Sequence, residues 1–323
     1  MLSDVMSYFG LNRAFEQAGY FETEQQGQIF KELKPLIGQG RLIALSGVVG
    51  CGKTTTLQRI QLELTQTKDI LVSRCLAVDK DRINLGTLIT ALFYDLVTEK
   101  DFKLPSQPEQ RERKLLSLIQ KTRKPVALFV DEAHDLHQKT LVGLKRLIEL
   151  VRYNGGVLSV ILAGHPKLKN DLHRPTLEEI GGRTTIFGLD GIRGHQAEYI
   201  QWLLKECTPA QTPLNDLLDE AALLMLAERL ATPLQVKHYL ELAFEEAYKI
   251  GQKPLTPDVI ELVLAQGLND LEPRLIRQGY NDKVLAALLN VRTTEVRSFL
   301  HGQLPPGRAQ DLRDQMLRFG IPI

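Results

Sequence analysis

The chain has 323 residues, a formal net charge of +1 and an apolar fraction of 43%, which is ordinary for a globular protein. No apolar run approaches the roughly 18 residues that a membrane-spanning helix needs, and the opening MLSDVMSYFG lacks the long apolar core of a signal peptide. The three cysteines, Cys51, Cys75 and Cys207, do not have metal-ligand spacing. These features exclude a membrane protein and a disulfide scaffold, and they predict a cytoplasmic protein with a main domain of about 200 residues.

The predicted elements alternate between strands and helices after a lead-in segment over residues 1–40. Continuous apolar runs predict five strands, at Leu42–Ser46, Ile70–Leu76, Val126–Val130, Val157–Ala163 and Thr184–Phe187. Strands that are apolar throughout and alternate with helices are typical of a parallel sheet covered on both faces. We therefore expect an α/β core over residues 41–193, with a parallel sheet sandwiched by helices.

The first predicted strand is followed by GVVGCGKTTT, residues 47–56, and then by a helical pattern over Thr55–Gln66. The segment fits the P-loop (Walker A) pattern G-x-x-x-x-G-K-[ST] without a departure, and the alternative is a plain turn between a strand and a helix. A loop in this position aims backbone N–H groups and a helix N-terminus at one anion. The residues expected to bind ATP phosphates are Gly47, Val48, Val49, Gly50, Cys51, Gly52, Lys53, Thr54 and Thr55. Among them Lys53 is expected to reach the β- and γ-phosphates and Thr54 to bind Mg²⁺.

The third predicted strand ends in the sequence ALFVDEAHD. An acidic residue at the carboxyl end of a strand lies at the edge where open α/β sheets bind ligands. Asp131 is therefore predicted to hold Mg²⁺ and Glu132 to polarise the attacking water, as in a Walker B motif; the alternative is a pair of helix N-cap residues. His134 completes a D-E-A-H string like that of helicases, but the other helicase motifs are not evident.

Strand patterns stop at residue 194, and the remaining elements are helical. The predicted helices His195–Cys207, Asn215–Ala231, Pro233–Lys249 and Pro257–Gln266 form a lid over residues 194–268. Residues 269–323 carry an excess of positive charge. They read as a helix, a turn at Asn290-Val291, a second helix over Thr293–Leu300 and a following helix, GRAQDLRDQMLRFG.

The loop, Asp131-Glu132, the strand VLSVILAGHPKL, the segment GGRTTIFGL and the helical lid together resemble an AAA+ ATPase. The branch that they resemble contains the transposition regulators TnsC, TniB and MuB and the secretion ATPase ExeA. The opening MSYFGLNRAFEQAGYFETEQQGQIFKELKPLIGQG is also similar to the lead-in of ExeA-type proteins. The resemblance covers residues 5 to about 265 and implies ATP and Mg²⁺ as cofactors and slow, assembly-regulated hydrolysis.

The resemblance also implies roles for single residues. His165 stands where such ATPases keep a polar sensor of the γ-phosphate, and a plain loop histidine is the alternative. Arg183 matches the arginine finger that a neighbouring subunit's nucleotide would meet, with Arg174 second. In the lid segment ATPLQVKHYL, Leu234 stands where a sensing arginine is usual, so this sensor is missing or is replaced by Lys237.

DNA is the partner that the resemblance implies. TnsC-like proteins form helical filaments around duplex DNA, and the cations expected to contact phosphates in the core are Lys80, Arg82, Lys139, Lys145, Arg146 and Arg152. The C-terminal helices resemble a phage-repressor helix-turn-helix, whose second helix would place Arg292 and Arg297 toward DNA. The alternative for the core cations is that they lie on solvated helix faces that bind nothing. The alternative for the C-terminal helices is a bundle that contacts only other proteins.

Two functions are compatible with these features. The favoured one is a regulator of DNA transposition that forms a ring or helical filament on target DNA and works with a transposase and a target-selection protein. The other is an ExeA-like mechanical ATPase in envelope assembly.

Overall fold

The structure is a computed structural model that describes residues 1–75, 83–97, 103–264 and 270–323. The chain divides into two compact units. The helical unit comprises Met1–Glu24, Val49–Gly52 and Asp190–Arg274, and the sheet unit comprises Gln25–Val48, Lys53–Leu189 and Leu275–Ile323. Within the described ranges, no helix is long and apolar enough to cross a membrane.

The helices and strands have the following bounds in chain order: α1 Ser3–Phe9, α2 Glu24–Gly38, β1 Leu42–Gly47, α3 Lys53–Thr67, β2 Leu71–Arg74, α4 Leu85–Leu96, α5 Pro108–Thr122, β3 Val126–Val130, α6 Gln138–Tyr153, β4 Leu158–Gly164, α7 Pro166–Leu172, α8 Glu178–Gly181, β5 Thr184–Leu189, α9 Gln196–Cys207, α10 Glu220–Arg229, α11 Pro233–Lys249, α12 Pro257–Val263, α13 Leu271–Arg277, α14 Asp282–Leu289, α15 Thr293–Leu300 and α16 Pro306–Arg318.

The sheet unit is built on a five-stranded sheet in the order β2-β3-β4-β1-β5, and every pair of neighbours is parallel. All residues of β1, β3 and β4 are buried, which explains why their sequences are apolar apart from Ser46 and Ser159. The predicted sheet sandwiched by helices is confirmed. The predicted strand Ile70–Leu76 is shorter in the structure, where it covers Leu71–Arg74, and its last residue lies outside the described ranges.

The order of the strands sets the geometry of the site. Strand β4 lies between β1 and β3, so the residue that follows β4 is placed between the loop after β1 and the residues after β3. In a parallel sheet all three of these carboxyl ends meet at one edge. The three motifs that are far apart in the sequence are therefore neighbours in space.

The helical unit has its own core, in which the start of the chain packs with the lid. Val5, Phe9 and Phe15 are buried against lid residues, and the Phe9 and Phe244 rings lie 4.6 Å apart. The helix predicted over Asn215–Ala231 begins later, at Glu220. Its predicted first turn is diverted because Leu218 pairs with Leu255 in an isolated parallel bridge.

The last helices of the chain belong to the sheet unit. Helix α14 ends at Leu289. The following Asn290 adopts a left-handed conformation with φ of 52°, and Val291 N–H donates to the carbonyl of Ala286. Helix α15 follows over Thr293–Leu300, as predicted. Helices α14, α15 and α16 therefore have the order of a helix-turn-helix domain.

Candidate nucleotide-binding and hydrolysis site

The loop between β1 and α3 contains two glycines in left-handed conformations. Gly50 and Gly52 have φ of 77° and 100°, a region that favours glycine, so the loop can turn its amides inward. Lys53 begins α3, and its side chain is only 7% exposed. Its Nζ donates to the carbonyls of Gly47 and Val48, at 2.9 and 3.0 Å. Two carbonyls of the loop thus fix the position of the Lys53 ammonium group.

The two predicted Mg²⁺ ligands are in contact. Thr54 Oγ1, in the first turn of α3, donates to Asp131 Oδ2 at 2.7 Å, although the two residues are 77 positions apart. Asp131 Oδ1 accepts a further hydrogen bond from the N–H of Glu132 at 2.8 Å. A hydroxyl and a carboxylate are hard oxygen donors of the kind that Mg²⁺ prefers. The residues present therefore fit this ion, which would neutralise phosphate charge when bound.

Glu132 is held in an unusual backbone conformation at the edge of the sheet. Its φ of 53° is left-handed, a region that costs a residue other than glycine about 1–2 kcal/mol and is found at functional sites. Its side chain is half-buried, and Oε2 lies 3.3 Å from His134 Nδ1 and 3.8 Å from His165 Nε2. A carboxylate fixed in this way can accept a proton from water.

His134 and His165 form a stacked pair beside this carboxylate. The ring centroids are 3.7 Å apart and the rings are inclined by 25°. The approach depends on Gly164, since a Cβ there would lie 3.1 Å from the backbone nitrogen of His134. His134, the last residue of the D-E-A-H string, therefore lies beside Glu132 and His165. This position does not depend on the chain being a helicase.

Burial lowers the pKa of His165 from 6.5 to about 4, and the charges of His134 and Lys53 act in the same direction. The ring is therefore neutral at neutral pH and can both donate and accept a hydrogen bond. Within the described residues, its buried Nδ1 has no hydrogen-bond partner. The ring follows β4 directly and lies beside Glu132. A role for His165 as a sensor of the terminal phosphate stays a prediction.

Arg183 lies at the opposite edge of the sheet from its own phosphate loop. It precedes β5, and the register pairs Thr184 with Leu42, so it stands beside the start of β1. The six residues of β1 span about 20 Å, which separates Arg183 from the loop at the other end. Its guanidinium binds Glu149 at 2.7 Å. Arg174, the second candidate, binds Asp171 at 3.0 Å.

In the helical unit, the start of α11 contacts the glycine-rich loop. Leu234 N–H donates to the carbonyl of Gly50, and a Cβ on Gly50 would lie 2.5 Å from Leu234 Cβ. Leu234, which stands where a sensing arginine is usual, therefore packs its apolar side chain against Gly50 of the loop. Lys237 follows one turn later on α11 and is half-buried.

The predicted DNA-contacting cations differ in their surroundings. Lys80 and Arg82 lie outside the described residues. Lys145 is only 14% exposed and binds Glu149 and Glu179, and Arg297 binds Asp282 at 2.7 Å. Lys139, Arg146, Arg152 and Arg292 are exposed. Lys145 and Arg297 would have to leave carboxylate partners to contact phosphates.

Three residues that the sequence did not single out connect this site to the C-terminal helices. Lys167 N–H, in the first turn of α7, donates to the carbonyl of Gln278, and the Asn170 amide donates to Tyr280 Oη at 2.6 Å. Gly279, with φ of 93°, lies against His165. The glycine in the sequence QGYN indicates a helix end, but nothing local indicates what it touches.

Comparisons with known proteins support the nucleotide assignment. Residues 37–172 match a family model described as an AAA domain. Solved structures similar to this chain include Cdc6p from Pyrobaculum aerophilum, at 17% identity and a TM-score of 0.55, over 98% of this chain and 90% of that chain. Another is Drosophila ORC bound to DNA, at 17% identity and a TM-score of 0.53, over 97% and 82%. No curated protein matches the sequence.

The sheet, the phosphate loop and the family match identify residues 37–172 as a P-loop ATPase domain of the AAA type. Its cofactors are ATP and Mg²⁺, as predicted.

Proposed function

We propose that this ATPase binds duplex DNA in its ATP-bound state and regulates DNA transposition. It assembles on target DNA as a ring or helical filament and recruits or activates a transposase, together with a target-selection protein. The observation that carries the DNA-binding part is the attachment of the helix-turn-helix domain to α7, the helix that begins directly after His165.

This attachment is polar and specific. The Asn170 amide donates to Tyr280 Oη at 2.6 Å and to the carbonyl of Gly320 at 2.8 Å. A single residue of α7 thus holds both ends of the C-terminal domain. The Gln278 carbonyl accepts from Lys167 N–H, two residues after His165. A movement of His165 on meeting or losing a terminal phosphate would be passed to the domain through these bonds.

The exposed side of α15 is suited to a phosphate backbone. Val296 and Phe299 bury the inner side of the helix, whereas Arg292 and Thr294 are exposed. Arg297 crosses to Asp282 and fixes α15 against the start of α14, and this pair lowers the pKa of Asp282. We expect Arg292 to contact a DNA phosphate directly. We expect Arg297 to support DNA binding indirectly, by holding α15 in place through its pair with Asp282.

Several observations support this function over a mechanical ATPase in envelope assembly. One similar structure, Drosophila ORC, is bound to DNA. The sequence motifs resemble those of the transposition regulators TnsC, TniB and MuB. Arg183 lies at the edge away from its own loop, so its proposed role requires the nucleotide of a neighbouring subunit, and hence an assembly.

The DNA-binding part is tested by fluorescence anisotropy of a labelled duplex with Mg²⁺ and a non-hydrolysable ATP analogue. Binding is expected to require the analogue, to show little sequence preference and to fall steeply with salt. The Lys53→Ala protein is the matched control, since it should lose the effect of nucleotide. Electron microscopy of the same mixture should show rings or filaments on the DNA. Equal anisotropy with and without nucleotide would refute the proposal.

The transposition part needs its own measurement. Genes next to the one encoding this chain are searched for a DDE transposase, and strand transfer by that enzyme is measured with and without the ATPase. Stimulation that depends on ATP is expected. If the ATPase binds DNA but does not change strand transfer, the DNA-binding part of the proposal stands and the transposition part is wrong.

A further inference from the structure

The amino-terminal edge of the sheet carries a basic residue in front of most of its strands. Since all five strands are parallel, their amino ends lie together, on the side opposite the nucleotide loop. The cations that precede them, in the order of the strands β2, β3, β4 and β1, are Lys68, Arg123 with Lys124, Arg152, and Arg41. We call this set the amino-edge cations.

These side chains are exposed, and backbone carbonyls rather than carboxylates hold two of them. Lys124 Nζ donates to the carbonyl of Lys68 at 3.0 Å, and the Arg152 guanidinium donates to the carbonyl of Gly40 at 2.7 Å. Among the residues that the structure describes, none of the five forms an ion pair with a carboxylate. Their positive charge is therefore not neutralised by a carboxylate in direct contact.

Nearby acids compensate this charge only in part. Glu149 is engaged by Lys145 and Arg183, and Glu179 by Lys145. Asp69, next to Lys68, is an exposed carboxylate of the same edge. In the part of the chain that the structure describes, the positive charge of this edge thus exceeds its free negative charge, although the net charge of the whole chain is only +1.

The arrangement is regular because the sheet sets its spacing. Neighbouring strands lie about 4.8 Å apart, so the four strands extend over about 14 Å. Each strand of duplex DNA places a phosphate every 3.4 Å or so of its axis, and a row of this length can face about four of them. Tyr153, next to Arg152, is 90% exposed and adds a further hydrogen-bonding group to the edge.

We propose that the amino-edge cations are a contact surface for the phosphate backbone of duplex DNA. This surface rests on the proposed DNA binding and goes beyond it, because Lys68, Arg123, Lys124 and Arg41 belong to neither the helix-turn-helix domain nor α6. Contacts of this kind give affinity without reading sequence. Arg183, at the end of the same edge, keeps its separate role across a subunit interface.

Helix stability alone could account for part of this pattern. Lys68 and Arg123 follow the last residues of α3 and α5, and Arg152 is in the last turn of α6, where positive charge interacts favourably with the helix dipole. A purely structural role would alter stability and leave DNA affinity unchanged. Arg41, which precedes a strand and ends no helix, separates the two explanations.

The experiment compares two double variants, one just after α5 and one within it. Arg123→Glu/Lys124→Glu reverses charges at the amino edge. Arg113→Glu/Lys114→Glu reverses two exposed charges within α5, with Lys114 about 14 Å from Arg123 along the helix axis. A third variant, Arg41→Glu, is included in case the first does not fold. Circular dichroism and ATP binding establish that each protein is folded.

Affinity for a labelled duplex is measured with the ATP analogue at several salt concentrations. Arg123→Glu/Lys124→Glu should weaken binding at least about tenfold and lower the salt slope by about 1.8, and Arg41→Glu should lower it by about 0.9. The α5 control should match the wild type. ATP affinity should stay unchanged in all of them.

Each other outcome overturns the proposal in its own way. If folded edge variants bind duplex as the control does, the edge is not a DNA surface while DNA binding itself stands. If the wild type binds no duplex at all, both proposals fall. If polyglutamate binds the wild type and competes at the edge while duplex does not, the surface recognises an acidic protein instead.

Discussion

Replacing Gly279 by alanine tests how tightly the C-terminal domain is coupled to the nucleotide site. Gly279 has φ of 93°, and an added Cβ would lie 2.9 Å from His165 Cβ and 3.0 Å from His165 Nδ1. The backbone on either side is held, because the Gln278 carbonyl accepts from Lys167 N–H and Tyr280 N–H donates to the carbonyl of Leu275. A shift of Gly279 away from His165 would therefore strain these bonds.

The expected cost has two parts. A left-handed conformation costs an alanine about 1–2 kcal/mol, and overpacking against the imidazole adds about 1–3 kcal/mol. Gly279→Ala should therefore lower the free energy of unfolding by about 2–5 kcal/mol. Gly302, in the same unit, has φ of 68°, and among the described residues no atom lies within 4 Å of the point that a Cβ would occupy. Gly302→Ala should therefore show the first part alone.

The assay is urea unfolding followed by far-UV circular dichroism, together with steady-state ATP hydrolysis. Gly279→Ala should also slow hydrolysis, by up to about 100-fold, since the catalytic geometry tolerates little displacement of His165. Gly302→Ala should hydrolyse ATP normally. Equal losses of stability in the two variants, with hydrolysis intact in both, would refute the idea that this contact transmits force to the site. Gly19→Ala provides a second control matched in backbone angle, since Gly19 has φ of 96° and no described residue other than its chain neighbours lies within 4 Å of the added Cβ.

Three further predictions concern the site itself. Lys53→Ala should abolish ATP binding, because the loop loses its one positive charge. Glu132→Gln should bind ATP and fail to hydrolyse it. Calorimetry that shows undiminished ATP affinity in the Lys53 variant would contradict the loop assignment. Arg183→Ala should retain ATP binding but lose hydrolysis and assembly, and mixing it with Glu132→Gln should restore turnover at mixed interfaces; no recovery at any ratio counts against a role in trans. Because the pKa of His165 is about 4 in the folded chain and 6.5 otherwise, the unfolded chain binds more protons between these values, so the free energy of unfolding should rise with pH across that window. His165→Gln should flatten this part of the pH profile, and an unchanged slope would show that another group is responsible.

The elements of the sheet could be predicted from the sequence because burial on both faces leaves an unmistakable pattern. Strands such as VALFV are continuous apolar runs, and β3 has the predicted bounds Val126–Val130. The end of β2 was less well marked, since Arg74 is exposed and interrupts the run. The helix expected from Asn215 failed for a tertiary reason, the pairing of Leu218 with Leu255, which no local pattern contains.

The candidate site was predictable where chemistry is local and unpredictable where it depends on packing. The loop residues and Asp131-Glu132 are contiguous motifs, and the contact between Thr54 and Asp131 follows from the positions expected for them. The stacking of His134 on His165 joins segments 31 positions apart. The ion pairs of Lys145 show the same division: Glu149 is one helical turn away, but Glu179 is brought in by the fold.

The attachment of the last three helices to α7 has a consequence for any shortened form of the protein. Val284, Ala287 and Leu288 line a cavity of about 420 Å³ together with His134 and Leu168. Removing the last three helices would take away this side of the cavity and leave the Asn170 amide without Tyr280 and Gly320. Lost activity in such a truncation would therefore not identify a DNA-binding domain. The same attachment works in both directions, because coupling between two binding sites is reciprocal. A ligand that α15 holds more tightly in one nucleotide state must, by the same factor, favour that nucleotide.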